Sequence, residues 1–367
     1  MTLEGGSVHV LSASVSGIRN LSPTALSFHP QGNLLFGLNG SGKTSFLESL
    51  HLLAVGRSFR NASIRPVISH DCDTCLVTAK INKAGKVHNL GMERHRNGES
   101  VLRIDAHNVA ARSSLAALLP VVMLDTEGLA LIFDGPDNRR RYVDGTLFHV
   151  EPSFLAVWRR YQRALKQRNA GLKRAIISND EAWLFDLARA GESLTNSRRQ
   201  LVARLAETFQ DMASTLSPAL AGIELIFKQG WDQQVALQEA LTSGQDDDIR
   251  RGFTQAGPHR ADLRLRMNGR AAAETLSRGQ AKLVVAALKL AQGQVLTDDL
   301  GFPPVYLVDD ITAELDESHA ARVCEVLQGQ GGQVFIAAVE AEELTRFWLG
   351  EAHSLFHVEQ GRITTLT

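Results

Sequence analysis

The residues with the clearest chemistry lie near the N-terminus, in the stretch Gly37-Leu38-Asn39-Gly40-Ser41-Gly42-Lys43-Thr44. Its spacing is that of a phosphate-binding loop, in which glycines let backbone N–H groups turn towards a triphosphate. Residues 33–36 form an apolar run typical of a strand, and residues 44–55 repeat apolar side chains at helical spacing. This strand, loop and helix predict binding of a nucleoside triphosphate. The predicted ATP contacts are Asn39, Gly40, Ser41, Gly42, Lys43, Thr44 and Ser45.

Oxygen-bearing residues from two parts of the chain are predicted to hold Mg²⁺ beside the triphosphate. Thr44 offers a hydroxyl in the loop, and the apolar run at residues 304–308 ends in Asp309 and Asp310. We expect Asp309 to bind Mg²⁺ directly or through water. We expect Asp310 to polarise or deprotonate the attacking water. Lys43, which reaches the β and γ phosphates, is the second predicted catalytic residue.

A further pair of carboxylates, Asp125 and Glu127, follows the apolar run at residues 120–124. If that run is a strand of the same sheet, its carboxyl end lies at the edge where ligands bind in open α/β sheets. Glu127 is therefore a candidate contact to Mg²⁺ or to a water molecule. Capping of the following helix is the other interpretation of this residue.

A second anion-binding surface is predicted where a later helix begins. Ser277, Arg278, Gly279 and Gln280 precede apolar residues at helical spacing that continue to residue 290. A hydroxyl and backbone N–H groups at a helix N-terminus favour a phosphate.

Several clusters of basic residues are candidate DNA contacts. The loop at residues 56–60 begins where the nucleotide phosphates would lie, so phosphate contact to ATP or DNA and a solvated helix end are equal alternatives. Helical spacing over residues 154–172 places basic side chains beside apolar ones, which is typical of a DNA-binding stripe and also of solvated helix faces. The candidate DNA contacts are Arg57, Arg60, Arg139, Arg140, Arg141, Arg160 and Lys166.

One histidine has two open interpretations. His259 lies in the turn Gly257-Pro258-His259-Arg260, between two strand-like segments. It either approaches the nucleotide or caps the turn, and the residues alone do not decide between these roles.

The spacing of apolar residues divides the chain into three parts. Residues 1–140 alternate in the manner of strands around the phosphate loop, residues 141–255 form a mainly helical lobe, and residues 256–367 return to strands. Two long amphipathic helices joined near residues 178–180 dominate the lobe, and the acidic residues 245–248 are predicted to form a mobile loop. We expect an α/β fold with a mixed sheet built from both chain ends and the helical lobe inserted between them.

The composition narrows the class of protein. The 367 residues are 44% hydrophobic and 22% charged, with a net charge of −1, which suits one large or two medium domains. No apolar run approaches the ~18 residues of a membrane span, and the N-terminus does not resemble a secretory signal. We therefore expect a cytoplasmic protein with no membrane partner. Because the chain is nearly neutral, any DNA site must be a local basic patch.

The phosphate loop, Ser277–Gln280 and Asp309–Asp310 together resemble the ABC-type ATPases. In that family the Ser-Gly-Gln signature of one subunit closes on the ATP bound by the other. The resemblance therefore implies an ATP-dependent homodimer with an ABC-type ATPase head, in which Ser277, Arg278, Gly279 and Gln280 contact ATP in trans. The inserted lobe is similar to that of the SMC/Rad50 branch, although it is too short for a long coiled coil. Asp310 stands where most ABC-type ATPases have Glu, which suits slow hydrolysis.

Nearly the whole chain resembles the RecF family of bacterial recombination mediators. This resemblance implies a weak DNA-stimulated ATPase that dimerises with ATP and binds double-stranded DNA at junctions with single-stranded gaps. It also implies work with RecO and RecR to load RecA. Asp125-Thr126-Glu127 departs from the Pro-Glu pairing common in that family. The stretches that carry the resemblance are Ile18–Asn20, Gly40–Ser45, Gly56–Arg60, Arg139–Arg141 with Asp144, Leu165–Asn169, Gly257–Leu263, Thr275–Gln280, Asp309–Asp310 and Glu314–Asp316.

Two other classes of function remain as alternatives. An ABC-type subunit that powers a transporter is disfavoured by the insertion at residues 141–255. A nuclease domain would require a carboxylate-rich metal cluster, and the sequence suggests none beyond the ATPase site. A metabolic kinase has no use for the residues Ser277–Gln280. It would also bind ATP as a monomer.

Overall fold

The chain folds as two units. We describe residues 6–174, 181–348 and 353–366 of a computed structural model, so the predicted helix connection at residues 178–180 lies outside the described residues. The first unit contains Met1–Leu129, Met212–Pro218 and Ser277–Thr367. The second unit contains Ala130–Asp211 and Ala219–Leu276.

Strands and helices are numbered in chain order. The strands are β1 (Val8–Ser16), β2 (Thr24–Ser27), β3 (Gly32–Phe36), β4 (Thr74–Lys83), β5 (Lys86–His95), β6 (Ser100–Ile104), β7 (His107–Asn108), β8 (Val121–Leu124), β9 (Ile223–Lys228), β10 (Asp262–Met267), β11 (Arg270–Ala271), β12 (Val305–Val308), β13 (Val334–Ala338), β14 (His353–Glu359) and β15 (Arg362–Leu366). The helices are α1 (Lys43–Val55), α2 (Arg112–Leu118), α3 (Ala130–Phe133), α4 (Pro136–Val150), α5 (Phe154–Lys173), α6 (Glu181–Leu216), α7 (Leu237–Ser243), α8 (Gln245–Arg251), α9 (Ala272–Thr275), α10 (Arg278–Leu300), α11 (Ile311–Glu314), α12 (Glu317–Gln330) and α13 (Ala341–Phe347). Within the described ranges, none of these helices is long and apolar enough to cross a membrane.

The central sheet of the first unit has the strand order β15-β14-β3-β13-β12-β8. Its strands run parallel from β14 to β8, and only β15 is antiparallel to its neighbour. β12 and β13 are buried along their whole length, which explains why both are continuous apolar runs. Because parallel strands share a carboxyl edge, the loops after β3, β12 and β8 meet at one edge of this sheet.

A second, antiparallel sheet of the first unit has the order β2-β1-β4-β5-β6-β7. Along β4 the buried residues alternate, as the period of two in its sequence predicts. Its inward side chains, such as Val77, join Phe46 of α1 and Leu35 of β3 in one apolar core. α1 therefore lies in apolar surroundings, with the phosphate loop at its N-terminal end, where Leu38, Asn39 and Gly40 are exposed.

The second unit combines helices with a three-stranded sheet of order β11-β10-β9. β9 and β10 pair antiparallel over six residues each, and this pairing brings residues 256–276 into the same unit as the helices. Apart from Met212–Pro218, which belong to the first unit, the two units therefore divide after residues 129 and 276, whereas the apolar spacing predicts boundaries after residues 140 and 255. The difference arises because a pairing between distant strands leaves no local mark in either segment.

The acidic segment at residues 245–248 is also different from the prediction. It forms the first turn of α8, and Asp248 is only 1% exposed. Arg168 Nη1 donates to Asp248 Oδ2 over 2.6 Å. The prediction of a mobile loop was wrong because the basic partner that permits this burial lies 80 residues earlier in the chain.

Candidate functional site

The phosphate loop connects β3 to α1 with a backbone that glycines adopt readily. Gly37, Gly40 and Gly42 have φ values of 152°, 80° and 124°. Gly42 is the N-cap of α1, and Lys43 is its first residue. The N–H groups of a first helical turn have no intrahelical acceptors, and the helix dipole adds positive potential there. The loop can therefore hold an anion such as a triphosphate.

Lys43 lies inside the loop. Its Nζ donates to the carbonyl oxygens of Gly37 at 2.6 Å and Leu38 at 3.1 Å, and the residue is only 6% exposed. Burial lowers the pKa of Lys43, and the carboxylates of Asp310 and Asp309 oppose this shift. The ammonium group is therefore close to both aspartates and to the loop that would surround the phosphates.

Asn20 supports the loop from outside. Its Nδ2 donates to the carbonyl oxygen of Gly40 over 2.9 Å, and its Oδ1 accepts from Ser45 Oγ over 3.0 Å. The adjacent Arg19 forms an ion pair with Glu48, a fully buried residue of α1. The Ile18-Arg19-Asn20 stretch thus has a structural role beside the phosphate loop, which the sequence analysis did not identify.

Thr44 and Asp309 meet although 265 residues separate them. Thr44 Oγ1 donates to Asp309 Oδ1 over 2.9 Å. Burial raises the pKa of Asp309, and the hydrogen bond from Thr44 opposes that increase. Hydroxyl and carboxylate oxygens are ligands that Mg²⁺ accepts. Two protein oxygens leave most of the octahedral positions of Mg²⁺ free, so this pair fits an ion whose other ligands are phosphate oxygens and water.

Asp310 has an unusual backbone conformation. It is the N-cap of α11 with a φ of 51°, a left-handed conformation that Asp tolerates better than most residues. Such conformations occur disproportionately at functional sites. The Oδ1 atom of Asp310 is buried, and the charge of Asp310 raises the pKa of Asp309. The two aspartates are therefore close enough to act on the same bound phosphate.

The loop after α1 brings an arginine towards these carboxylates. Arg60 is exposed, and its charge lowers the pKa of Asp309. The buried Ser58 donates to the carboxylate of Glu48, and its Oγ accepts from the N–H of Arg60 over 2.9 Å. This support gives Arg60 a defined place near the predicted phosphate position. Arg57 is also exposed, and phosphate contact by either arginine stays a prediction.

Asp125 is the carboxylate that faces inwards after β8. Burial raises its pKa to about 6, an increase that Lys289 of α10 opposes and Asp309 reinforces. Asp125 and Asp309 line the same cavity of about 50 Å³. The predicted Glu127 is exposed, and its contact to Mg²⁺ or water stays a prediction. An apolar run ending in two acids marked this edge of the sheet, but it could not show which carboxylate turns inwards.

The predicted second anion site is an exposed helix N-terminus in the first unit. Ser277 is the N-cap of α10, and its Oγ accepts from the N–H of Gln280 over 3.2 Å. In return, Gln280 Oε1 accepts from the N–H of Ser277 over 2.9 Å. This capping box fixes the first turn of the helix. Ser277, Arg278 and Gly279 are exposed, so their surface is open to a ligand that arrives from outside.

Two of the predicted DNA contacts take part in bonds within the second unit. Arg139 Nε donates to Asp262 Oδ1 over 2.7 Å, and Arg140 Nη1 donates to the carbonyl oxygen of Ala261 over 2.7 Å. These bonds fasten α4 to the start of β10. Their guanidinium groups are thus partly engaged, and their contact with DNA stays a prediction.

The other basic candidates of the second unit are exposed. Arg141 lies on α4, and Arg160 and Lys166 lie on α5. Arg160 forms an ion pair with Asp186 of α6. The exposed faces of α4 and α5 are therefore where these predicted basic contacts reach solvent.

His259 belongs to the second unit and is bonded within it. Its Nε2 lies 2.9 Å from the carbonyl oxygen of Thr254, and its Nδ1 lies 2.7 Å from the hydroxyl of Tyr161. Burial lowers the pKa of His259 to about 4. This neutral ring joins the turn that contains it to α5, a role that neither sequence interpretation anticipated.

Comparisons with known proteins match this chain over nearly its whole length. Residues 9–364 match the family described as RecF/RecN/SMC N terminal domain. The DNA replication and repair protein RecF of Pseudomonas syringae pv. syringae is 43% identical over 355 residues, which cover 96% of each chain.

Two solved structures show the same fold. The recombination mediator protein RecF with ATP, in the RecFOR pathway, matches with a TM-score of 0.87 at 24% identity over 98% of each chain. An Smc head bound to the C-winged helix domain of ScpA matches with a TM-score of 0.59 at 14% identity, over 98% of each chain. These likenesses confirm the predicted α/β ATPase-head fold. From the match over residues 9–364 and the identity to its curated relative, this chain belongs to the RecF family.

Proposed function

We propose that this protein is an ATP-dependent DNA-binding protein of recombinational repair and replication restart. The observation that carries the proposal is the combination, in one unit, of Lys43 inside a phosphate loop, the Thr44–Asp309 hydrogen bond and an exposed Ser277. A phosphate loop alone would suit many nucleotide-binding proteins. A separate, solvent-facing anion site suits ATP that is shared between two copies.

In this proposal ATP binds through residues that the fold already places together. The N–H groups of the phosphate loop and Lys43 hold the β and γ phosphates. Thr44 and Asp309 would hold Mg²⁺, which supplies neutralisation of the phosphate charge. Arg60, whose charge already acts on Asp309, is placed to contact the γ phosphate or DNA.

Asp310 is the residue we assign to the attacking water. Its carboxylate orients that water and accepts its proton at an oxygen atom, while Lys43 stabilises the negative charge on the phosphate. Asp is one carbon shorter than the Glu of most ABC-type ATPases. We propose that hydrolysis is consequently slow, is stimulated by DNA and serves release of DNA.

The surface formed by the signature residues Ser277 to Gln280 acts on the ATP bound by another copy of the chain. Ser277 to Gln280 of one copy meet the γ phosphate bound by the other, so ATP holds two copies together. Because the capping box already fixes Ser277 and Gln280, little conformational entropy is lost when the second copy arrives.

DNA is bound by an exposed row of basic side chains on α5, the α5 row. Arg159, Arg163 and Lys166 are exposed on one face of this helix, and α5 contains no acidic residue. The row extends about 10 Å, or about three base pairs of B-form DNA. We propose that it contacts the phosphates of double-stranded DNA beside a single-stranded gap, and that RecR with RecO binds the DNA-bound dimer to promote loading of RecA.

The test is the mass of the protein in solution with and without Mg²⁺-ATP. Wild type is expected to double its mass with ATP, whereas Lys43→Met stays monomeric because it lacks the phosphate-binding ammonium group. Ser277→Asp is the sharper variant, because Asp caps a helix as well as Ser does but repels a phosphate. It is expected to keep the unliganded stability and the ATP binding of wild type while losing the dimer.

A wild-type protein that binds ATP and remains monomeric, with and without double-stranded DNA, would contradict the shared-ATP mechanism. Asp310→Asn tests the assigned role of hydrolysis, because Asn also tolerates a left-handed backbone. This variant is expected to remain dimeric on DNA in the presence of ATP. Release of DNA at the wild-type rate would show that hydrolysis does not control release.

A further inference from the structure

The hairpin near the C-terminal end of the chain reaches the phosphate loop. Its turn, Gln360–Gly361, joins β14 to β15, and the two residues have φ values of 47° and 80°. Positive φ at both central residues is the mark of a type I′ turn. The hairpin therefore ends in a rigid tip rather than in an open loop.

The tip, Gln360–Gly361, lies between the phosphate loop and the segment after β1 and contacts both. The N–H of Gly361 donates to the carbonyl oxygen of Ser41 over 2.7 Å. The carbonyl oxygen of Gly361 accepts from the N–H of Ser22 over 2.9 Å. A Cβ atom at position 361 would lie 1.9 Å from the carbonyl oxygen of Asn20, so only glycine fits between the two segments without displacing backbone.

The bond to Ser41 acts on the part of the loop that presents N–H groups. When successive N–H groups turn towards an anion, the carbonyl groups between them turn away and need partners elsewhere. Asn20 Nδ2 supplies the partner for Gly40, and the N–H of Gly361 supplies the partner for Ser41. Two consecutive carbonyl groups of the loop are thus held by groups that lie outside it.

We infer that the Gln360–Gly361 turn is a positioning element for the phosphate loop, and that the affinity for ATP depends on Gly361. The inference rests on the proposed binding of ATP at this loop. The turn and the nucleotide stabilise the same loop conformation. The contact of the turn with the loop therefore raises the affinity for ATP, and bound ATP stabilises that contact by the same factor. The last hairpin of the fold is in this way part of the nucleotide site, more than 300 residues after the loop it supports.

The chain contains a matched control for this contact. The turn between β4 and β5 has the same type, with φ values of 51° at Ala84 and 81° at Gly85. A Cβ atom at Gly85 would have no neighbour within 4 Å. Alanine at either position has the same unfavourable φ, but only alanine at 361 disturbs the backbone beside the phosphate loop.

The experiment measures the dissociation constant for ATP in wild type, Gly361→Ala and Gly85→Ala, and the thermal midpoint of each without nucleotide. We expect Gly361→Ala to bind ATP about tenfold more weakly, the change that corresponds to one lost hydrogen bond. Gly85→Ala is expected to bind ATP within about twofold of wild type. Equal affinity in Gly361→Ala and Gly85→Ala would overturn the inference. If wild type itself fails to bind ATP, the proposed function fails instead.

Amide hydrogen exchange of the wild type provides a second measurement in case Gly361→Ala does not fold. With ATP, exchange should slow in the phosphate loop, residues 37–45, and also at the turn, residues 359–362. The turn around Gly85 should exchange at the same rate with and without ATP. Protection of the loop with no change at residues 359–362 would overturn the inference, because a coupled contact must respond to the ligand.

Discussion

At the scale of single residues, burial opposes the charges that the nucleotide site needs. Burial lowers the pKa of Lys43 and raises the pKa of Asp309, while their mutual attraction opposes both shifts. A group that has already lost its water makes stronger interactions with a bound phosphate than an exposed group does. Lys43 is therefore desolvated before ATP arrives, which strengthens its attraction to the phosphates, whereas the desolvated Asp309 would attract Mg²⁺.

His259 shows how contacts determine a protonation state. A carbonyl oxygen can only accept, so the bond to Thr254 requires a hydrogen on Nε2. Nδ1 then accepts from the hydroxyl of Tyr161. The neutral ring satisfies both contacts. Burial together with the nearby Arg260 and Arg140 lowers the pKa of His259, while the hydrogen bond to Thr254 and the charge of Asp248 oppose that shift.

The lowered pKa of His259 predicts acid sensitivity. The unfolded chain binds a proton near pH 6.5, whereas the folded protein binds it only near pH 4. Between these values the unfolded state carries more protons, so the free energy of unfolding falls as the pH falls. The contribution of His259 is fully present above pH 6.5 and is lost towards pH 4. A difference of about 2.5 pKa units corresponds to about 3 kcal/mol.

The measurement is urea unfolding of wild type and His259→Gln at pH 7 and pH 4.5. The variant lacks the titrating ring, so the stability difference in favour of wild type should shrink by about 2 kcal/mol at the lower pH. His107→Gln, which changes an exposed histidine, is the control. A stability difference between wild type and His259→Gln that is independent of pH would contradict the assignment.

At the scale of elements, α8 is held by side chains of α5. Arg168 Nη1 donates to Asp248 Oδ2 and to Thr254 Oγ1, and Asn169 Oδ1 accepts from the N–H of Thr254. Asp248 Oδ1 also accepts from the N–H of Gln255. The Leu165–Asn169 stretch that carried part of the family resemblance is thus the structural anchor of a neighbouring helix.

Breaking this anchor should destabilise the second unit strongly. Arg168→Met leaves the carboxylate of Asp248 buried without its cation, a change that typically costs about 3 to 5 kcal/mol. Adding Asp248→Leu removes the buried charge and should restore part of the loss. Arg250→Met, which breaks an exposed ion pair on the same helix, should cost less than about 0.5 kcal/mol.

Tryptophan fluorescence during urea unfolding measures these changes. Trp158, Trp183 and Trp231 lie in the second unit, and Trp348 lies in the first. Fluorescence therefore reports mainly on the unit that contains α8. Equal midpoints for Arg168→Met and Arg250→Met would show that the buried pair is not the anchor.

At the scale of the whole molecule, the net charge of −1 gives no general attraction to DNA. The proposed DNA binding must then come from a patch such as the α5 row, and its strength should follow the number of phosphates that the patch contacts. Replacing Arg159, Arg163 and Lys166 with alanine removes up to three contacts. We expect the slope of log K against log salt to become shallower by up to about 3.

The control removes the same charge elsewhere. Arg250, Arg264 and Arg346 are exposed and each pairs with a carboxylate, so their replacement with alanine should leave the slope within about 1 of wild type. The measurement is a fluorescence anisotropy titration of a gapped duplex at several salt concentrations. Identical slopes for wild type and the α5 variant would remove α5 from the DNA-binding surface.

Much of the molecule could be predicted from local patterns in the residues. The phosphate loop, the apolar run that ends in Asp309 and the helix that begins after Ser277 appear in the structure where their sequences place them. Each of these features depends on neighbouring residues only. Glycine spacing sets a turn, a period of two sets a strand, and a Ser with a Gln three residues later sets a helix start.

Tertiary structure alone decided which of these features interact. The sequence shows two acidic residues after residue 124, but it does not show that Asp125 is the one that faces inwards. It also shows runs of basic residues, but it does not show that Arg139 forms an ion pair with Asp262. It also placed the end of the helical lobe at residue 255, whereas β9 pairs with a strand more than 30 residues later and the second unit continues to residue 276. A partner that lies far away in the chain leaves no periodic signal in the sequence. Ion pairs, burial and strand pairing therefore become known only when the folded chain brings both partners together.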